Sequence, residues 1–332
     1  MRALVVFLLS LLCAITLGGT ITVTSPTANA YLGLNNTLSF TITGAHVEVT
    51  VTAVVTAGNG GGSTTISDKF TPDADGKINN SLPLNFSQSS PEGPYTITVT
   101  ATEPNATYND LPPIPVTVIV NAPKILDYSP NDSGFVRGIV PISIKFSTAA
   151  LRDWRIQINN QDIPNNTGTT GTTALVNWDT SGIQNDGAQT INIRIRDLAG
   201  NVTNKSIAVT LDRIQPVATI QYPKANSPVV NHQAFNVLID IQDASSVSVD
   251  VTGIDVIVTD INDKFLFRVP RESTSSSSNV LRWIGRVRSQ VYLPNPFKLV
   301  VNAVDRAGNV ATQQVITVGT QANQAKSQKK GK

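Results

Sequence analysis

A five-residue phrase, Asp-Leu-Ala-Gly-Asn at positions 197–201, returns as Asp-Arg-Ala-Gly-Asn at 305–309. Both copies stand between runs of alternating apolar residues, so each reads as the hairpin joining the last two strands of a sheet. Asp197 and Asp305 can accept bonds from turn amides, Gly200 and Gly308 can take the positive φ such turns need, and Asn201 and Asn309 complete them. The copies are 108 residues apart, about the length of one β-sandwich domain, which marks an internal repeat.

The repeat extends upstream, and a third, more divergent copy precedes it. Each copy opens on a strand edge closed by proline, at Pro26, Pro130 and Pro223. A strand of period two follows: Leu38, Phe40, Ile42; then Ile142, Ile144, Phe146; then Phe235, Val237, Ile239, Ile241. Apolar residues at every second position bury one face and leave the other wet. A second such strand is predicted at Val47, Val49, Val51, at Trp154, Ile156, Ile158, and at Val247, Val249, Val251. Small polar residues at 58–63, 165–173 and 273–278 read as loop tips. Beyond them Trp178 and Trp283 read as core filling. The penultimate strand is the clearest of all: Tyr95, Ile97, Val99, Ala101 matches Ile191, Ile193, Ile195 and Leu299, Val301, Ala303. In the first copy Glu103 takes the place of Asp197 and Asp305, and a Pro-rich loop at 104–115 replaces the tight hairpin.

These patterns divide the chain into a segment 1–19, domains at 20–121, 122–214 and 215–319, and a basic tail at 320–332. The joints at 121–124 and 212–216 are short and stiffened by Pro123 and Pro216. Domains joined so closely stack end to end, and at roughly 30 Å each they predict a rod of about 100 Å. No helix-period segment follows the first 19 residues.

Arg2, the apolar run 3–17 and then Gly18 and Gly19 describe a secretory signal peptide, with cleavage expected near Gly19. The run is short for a membrane span, so membrane attachment would come only from an uncleaved signal. The single cysteine, Cys13, lies within it, so the mature chain has no thiol and its cores stand on packing alone. Charged residues are 14% of the chain, a balance common in extracellular β-proteins. Residues 20–121 hold two Lys/Arg against seven Asp/Glu, a net of −5, while each later domain holds nine against eight. The tail adds Lys326, Lys329, Lys330 and Lys332.

Several phrases resemble the bacterial immunoglobulin-like (fibronectin-III-like) tandem repeats of surface and secreted proteins. In the second copy they are Asn-Trp-Asp-Thr-Ser-Gly at 177–182, Asp186-Gly187 and the hairpin at 197–201; in the first, Asp-Ala-Asp-Gly-Lys at 73–77 and Glu-Gly-Pro-Tyr at 92–95. The third copy keeps the hairpin and lacks the Trp-Asp-Thr-Ser-Gly phrase. The resemblance implies an all-β chain of three immunoglobulin-like sandwiches and says little about activity, since such repeats serve adhesins, spacers and filament subunits alike.

Catalysis requires convergent titratable groups. His46 and His232 are the only histidines, and neither has a metal-ligand spacing. No Gly-rich phosphate loop precedes a helix, and neither an enzyme nor a nucleic-acid binder is indicated. Calcium is the one cofactor with candidate ligands: Asp73 and Asp75 beside the Gly76 turn, and Asp260, Asn262 and Asp263 in the third copy. Each group supplies two or three side chains where Ca²⁺ takes six to eight oxygens, so a simple turn is the competing reading. Arg282, Arg286 and Arg288 alternate along one strand, with Tyr292 close in sequence, as a candidate contact face for an anionic glycan. The sequence therefore predicts a secreted or cell-surface rod in adhesion or structural spacing, its partners surface proteins, glycans or copies of itself. The alternatives are a carbohydrate-binding accessory module, and a filament subunit donating the segment 20–27 to a neighbour's sheet edge.

Overall fold

The computed structural model describes residues 16–322 except 59, 105, 148–149 and 244–247. Most of the expected signal segment and the lysine-rich tail lie outside the described residues. Three hydrophobic cores follow one another along the chain, drawn from residues 21–120, 136–209 and 218–318. The chain is all-β among the described residues apart from two 3-10 turns, Thr180–Gly182 and Val251–Gly253.

The second domain shows the plan. One sheet holds Ile125–Ser129, Ile139–Phe146 and Thr173–Asp179. The other runs in the order Gly134–Val136, Val202–Leu211, Gly187–Asp197, Leu151–Ile158, Gln161–Gly168. The first strand is thus split: its opening half pairs antiparallel with Ile139–Phe146, and its closing half crosses to pair parallel with the last strand. Both other domains repeat the split. Ala30–Leu32 lies parallel to Ile114–Val118, and Val229–Val230 parallel to Thr320–Gln321. A proline stands at each break, after a cis bond at Ser25–Pro26, Ser129–Pro130 and Tyr222–Pro223. Having no N–H, proline cannot continue the ladder, which is why the strand changes sheets there. A split first strand feeding two facing antiparallel sheets is the immunoglobulin-like sandwich.

Most of the period-two residues point inward as their spacing requires, but Val47 lies ahead of the strand Val49–Ala57 and is 48% exposed, and Phe235 is only half-buried. Ile142, Ile144 and Phe146 face Ile191, Ile193 and Ile195 across the second core, and all six are buried. Trp178 and Trp283 are each 2% exposed.

Five expectations change. In the third domain Val249 makes only an isolated bridge to Asp305, and Val251 opens a 3-10 turn. Asp250 causes this, its Oδ1 accepting from Thr252 N (2.9 Å) and Oγ1 (2.7 Å), and the true strand is Asp255–Asp260 with Val256 and Val258 inside. The serines at 273–277 form no loop tip. They belong to an edge strand, Arg271–Ser277, bonded to Val280–Val287 with every side chain exposed. Backbone pairing on one side suffices to hold such a strand, and apolar alternation is silent about it. The Pro-rich 104–115 stretch contains a short strand, Ala106–Tyr108, which pairs with Gly93–Glu103 and also with Thr16–Ser25, tying the two layers of the first domain together. That first strand begins at Thr16, ahead of the expected cleavage point, and the segment considered as a donor strand is already paired with Asn35–Thr43.

Candidate functional site at the domain junctions

The repeated pentapeptide folds identically in both copies. The Asp197 carbonyl accepts from Gly200 N (3.1 Å), and its Oδ1 and Oδ2 accept from Asn201 N and Nδ2, both at 2.9 Å. In the third domain Asp305 accepts from Gly308 N at 3.1 Å and from Asn309 N and Nδ2, both at 2.7 Å. Gly200 and Gly308 have φ of +89° and +87°, the left-handed region that favours glycine. Asp197 and Asp305 are buried, so their carboxylates need these partners.

The asparagine does a second thing that the sequence did not announce. Asn201 Nδ2 also donates to the Ile119 carbonyl, and Asn309 Nδ2 to the Asp212 carbonyl, each at 2.9 Å. Ile119 and Asp212 end the preceding domains, so each turn latches its own domain to the one before it. The rest of the contact is also repeated. The residue after the split first strand, Gly33 in one domain and Arg137 in the next, receives the incoming turn. A Cβ on Gly33 would meet the Ala199 carbonyl at 3.0 Å, and Arg137 Nε donates to the Ala307 carbonyl at 3.1 Å. Arg306 adds a cation over the Phe135 ring at 5.9 Å. The acidic residue of the Glu-Gly and Asp-Gly phrases braces the linkers. Glu92 Oε1 accepts from Val120 N (3.0 Å) and Asn121 N (2.8 Å), and Asp186 from Arg213 N (2.7 Å) and Nε (2.6 Å).

The two junctions differ in charge. At the second, Asp212, Asp243 and Asp305 are 3%, 6% and 2% exposed, and each places a carboxylate oxygen within 4.8 Å of the others. Asp212 Oδ1 accepts from Ile214 N (3.1 Å), and Asp243 Oδ2 from Ser248 Oγ (2.7 Å). Burial, followed by repulsion from Asp243, Asp305 and Asp186, pushes the Asp212 carboxyl up to about 6. Hard oxygen donors at this spacing suit a divalent cation, and their own charge disfavours leaving all three ionised without one. At the first junction Ile119 stands where Asp212 stands, and among the described residues the cluster occurs at the second junction alone. Sequence reading treated Asp212 as linker and Asp305 as turn and passed over Asp243. The three lie 31 and 62 residues apart, with no local motif, and only the sandwich topology joins them.

The sites singled out from sequence fall elsewhere. Asp73 Oδ1 accepts from Asp75 N (3.0 Å) and Lys77 N (2.7 Å), with Gly76 at φ +70°. Asp260 Oδ1 accepts from Asn262 N (2.8 Å) and Lys264 N (2.9 Å), while Asp263 pairs with Lys298 at 2.8 Å. Each aspartate thus caps a turn, and among the described residues neither group gathers three metal-type side chains. Arg282 and Arg286 do face outward together on Val280–Val287, but Asp240 holds Arg282 through two bonds of 2.7 and 2.8 Å. Arg288 lies past the end of that strand, and Tyr292 is exposed beside His232, their rings 6.1 Å apart. His46 is exposed and leans on Glu103, whose carboxylate accepts from His46 N (3.2 Å) and Val47 N (3.3 Å).

No protein-family model matches the chain, and no curated protein does either. Solved structures similar to it include fibronectin(III)-like modules of Clostridium thermocellum CbhA, at 12% identity and a TM-score of 0.38 over 60% of this chain and 94% of that one. The titin I-band fragment I67–I69 is 10% identical with a TM-score of 0.37, covering 91% of this chain and 98% of that one. A tetra-tandem repeat from the extending region of a large adhesion protein is 17% identical with a TM-score of 0.29, covering 91% and 74%. The immunoglobulin-like assignment rests on the strand pairing described above.

Proposed function

We propose that this protein is an exported, non-enzymatic structural or adhesion element, a stalk of three immunoglobulin-like domains docked in series. The observation that carries the reading is the bond made twice, from Asn201 to Ile119 and from Asn309 to Asp212, by the same turn at successive junctions. A repeated latch is what a chain needs in order to hold each domain at a set angle to the next, and it has no use in catalysis. The apolar leader, the absence of cysteine after Cys13 and the low charge content support an extracytoplasmic setting.

The test is the full mature chain carrying one spin label in each of the second and third domains. A narrow interdomain distance distribution is expected in the parent protein and a broad one in Asn309→Ala, with both domains still folded by circular dichroism. A distribution already broad in the parent would refute the docked stalk. Turnover of a glycoside or peptide substrate lost on removing a carboxylate pair would refute the non-enzymatic reading.

A further inference from the structure

The outer face of the larger sheet of the second domain is concave and polar in a way that its structural role does not require. Gln157, Asn192 and Ser206 lie side by side across three strands, and in the adjacent row Arg155, Arg194 and Asn204 do the same. Together they line a groove of about 270 Å³, the size of one sugar ring with room to spare.

The first row is satisfied within the fold. Ser206 Oγ donates to Asn192 Oδ1 (2.7 Å), and Gln157 Nε2 donates to Asp162 Oδ1 (3.2 Å). The second row is not. Arg155 and Arg194 stand directly opposite each other, an arrangement that repels across strands. Arg155 is neutralised by Asp162 through bonds of 3.0 and 2.5 Å. Arg194 shares a single carboxylate, Asp153, with Arg196, so two guanidinium charges meet one anion. Arg196 holds that carboxylate closely, and Arg194 reaches it only through Nη2 at 3.3 Å, long for a charge-assisted bond. The Arg194 side chain is 42% exposed and lines the groove beside Asn204, while its Nε is closed off from water without a partner.

We propose that this groove binds an acidic saccharide, its carboxylate taken by Arg194 and a neighbouring hydroxyl by the Asn204 amide. The surplus positive charge calls for an anion. The amide and hydroxyl lining matches a polyhydroxyl ligand better than an acidic peptide, because Ile193 is the only apolar residue in the lining and offers no pocket for peptide side chains. Every residue lining the groove belongs to the second domain, so its ligand does not depend on the stalk reading.

The experiment is calorimetric titration of the full mature chain with a uronate oligosaccharide, a neutral oligosaccharide of equal length, a sulfated one, and a short poly-glutamate. Binding of the uronate is expected, with a loss of tenfold or more in Arg194→Gln and a smaller loss in Asn204→Ala. Lys69→Ala, on the first domain, should bind as the parent does. Thermal midpoints of the variants show whether they are folded. No uronate binding by the parent would overturn the proposal. So would a Kd unchanged in a folded Arg194→Gln, or poly-glutamate or the sulfated sugar binding as tightly as the uronate.

Discussion

Replacing Asp212 by asparagine should stabilise the second junction at neutral pH. The asparagine keeps Oδ1 to accept from Ile214 N, and its new N–H groups point toward a cluster where Asp243 and Asp305 are acceptors. In the parent the carboxyl is pushed from 3.8 to about 6 in the folded protein. Because the folded value lies above the unfolded one, the folded state holds an extra proton between about pH 4 and 6, and stability falls as pH rises through that window. At 1.36 kcal/mol per pH unit the cost, complete above about pH 7, reaches about 3 kcal/mol. Asp212→Asn should recover most of it at pH 7 in the presence of a chelator and little of it near pH 4, where the folded-state carboxyl is protonated and the unfolded-state one is about half so. Differential scanning calorimetry of the full chain at pH 4, 5, 6 and 7 reads this directly, because titrating groups remote from the cluster cancel in the difference between variant and parent. Calcium at millimolar concentration should raise the parent's transition at pH 7 and leave the variant's little changed, since a cation that binds the folded cluster stabilises it by mass action. The reasoning fails if the variant is no more stable than the parent at pH 7 in chelator, or if its advantage does not shrink toward pH 4.

Three further outcomes follow from the same structure. Gly308→Ala puts a side chain at a φ of +87° and should cost about 1–2 kcal/mol, read as a lower unfolding transition of the third domain. Trp178→Ala empties a site that is 2% exposed at the centre of the second core and should cost about 3–5 kcal/mol, enough to lower its urea midpoint well outside error. Arg282→Ala breaks a surface pair with Asp240 and should change stability by less than about 1 kcal/mol, with no change in the other two domains on thermal scanning.

Much of the architecture was legible because a sandwich writes its register into the sequence. Alternation at Ile191, Ile193 and Ile195 can bury one face only if the segment is a strand, and the residue type is what the burial demands. The turn at Asp197 was legible for a similar reason: carboxylate, positive φ and amide partner all lie within five residues. The departure of the third domain was not read: Asp250 turns the chain at Thr252, and alternation on both sides of that turn concealed it. The edge strand Arg271–Ser277 was illegible because neither of its faces is buried, leaving no hydrophobic signature at all.

Sequence by itself determined the all-β class, the threefold repeat, most of the core residues and the turn chemistry, because each is set by interactions within one strand or one hairpin. Tertiary structure alone decided what the turns are for. The second amide hydrogen of Asn201 and Asn309 finds its acceptor 82 and 97 residues away in sequence, at the end of another domain. Asp212, Asp243 and Asp305 become one charged cluster, and Arg194 an under-neutralised cation, only when strands distant in sequence are laid side by side. Strand period is a one-dimensional signal that survives in any order of strands. Charge convergence and interdomain bonding depend on that order, and so on packing the chain must complete before they exist.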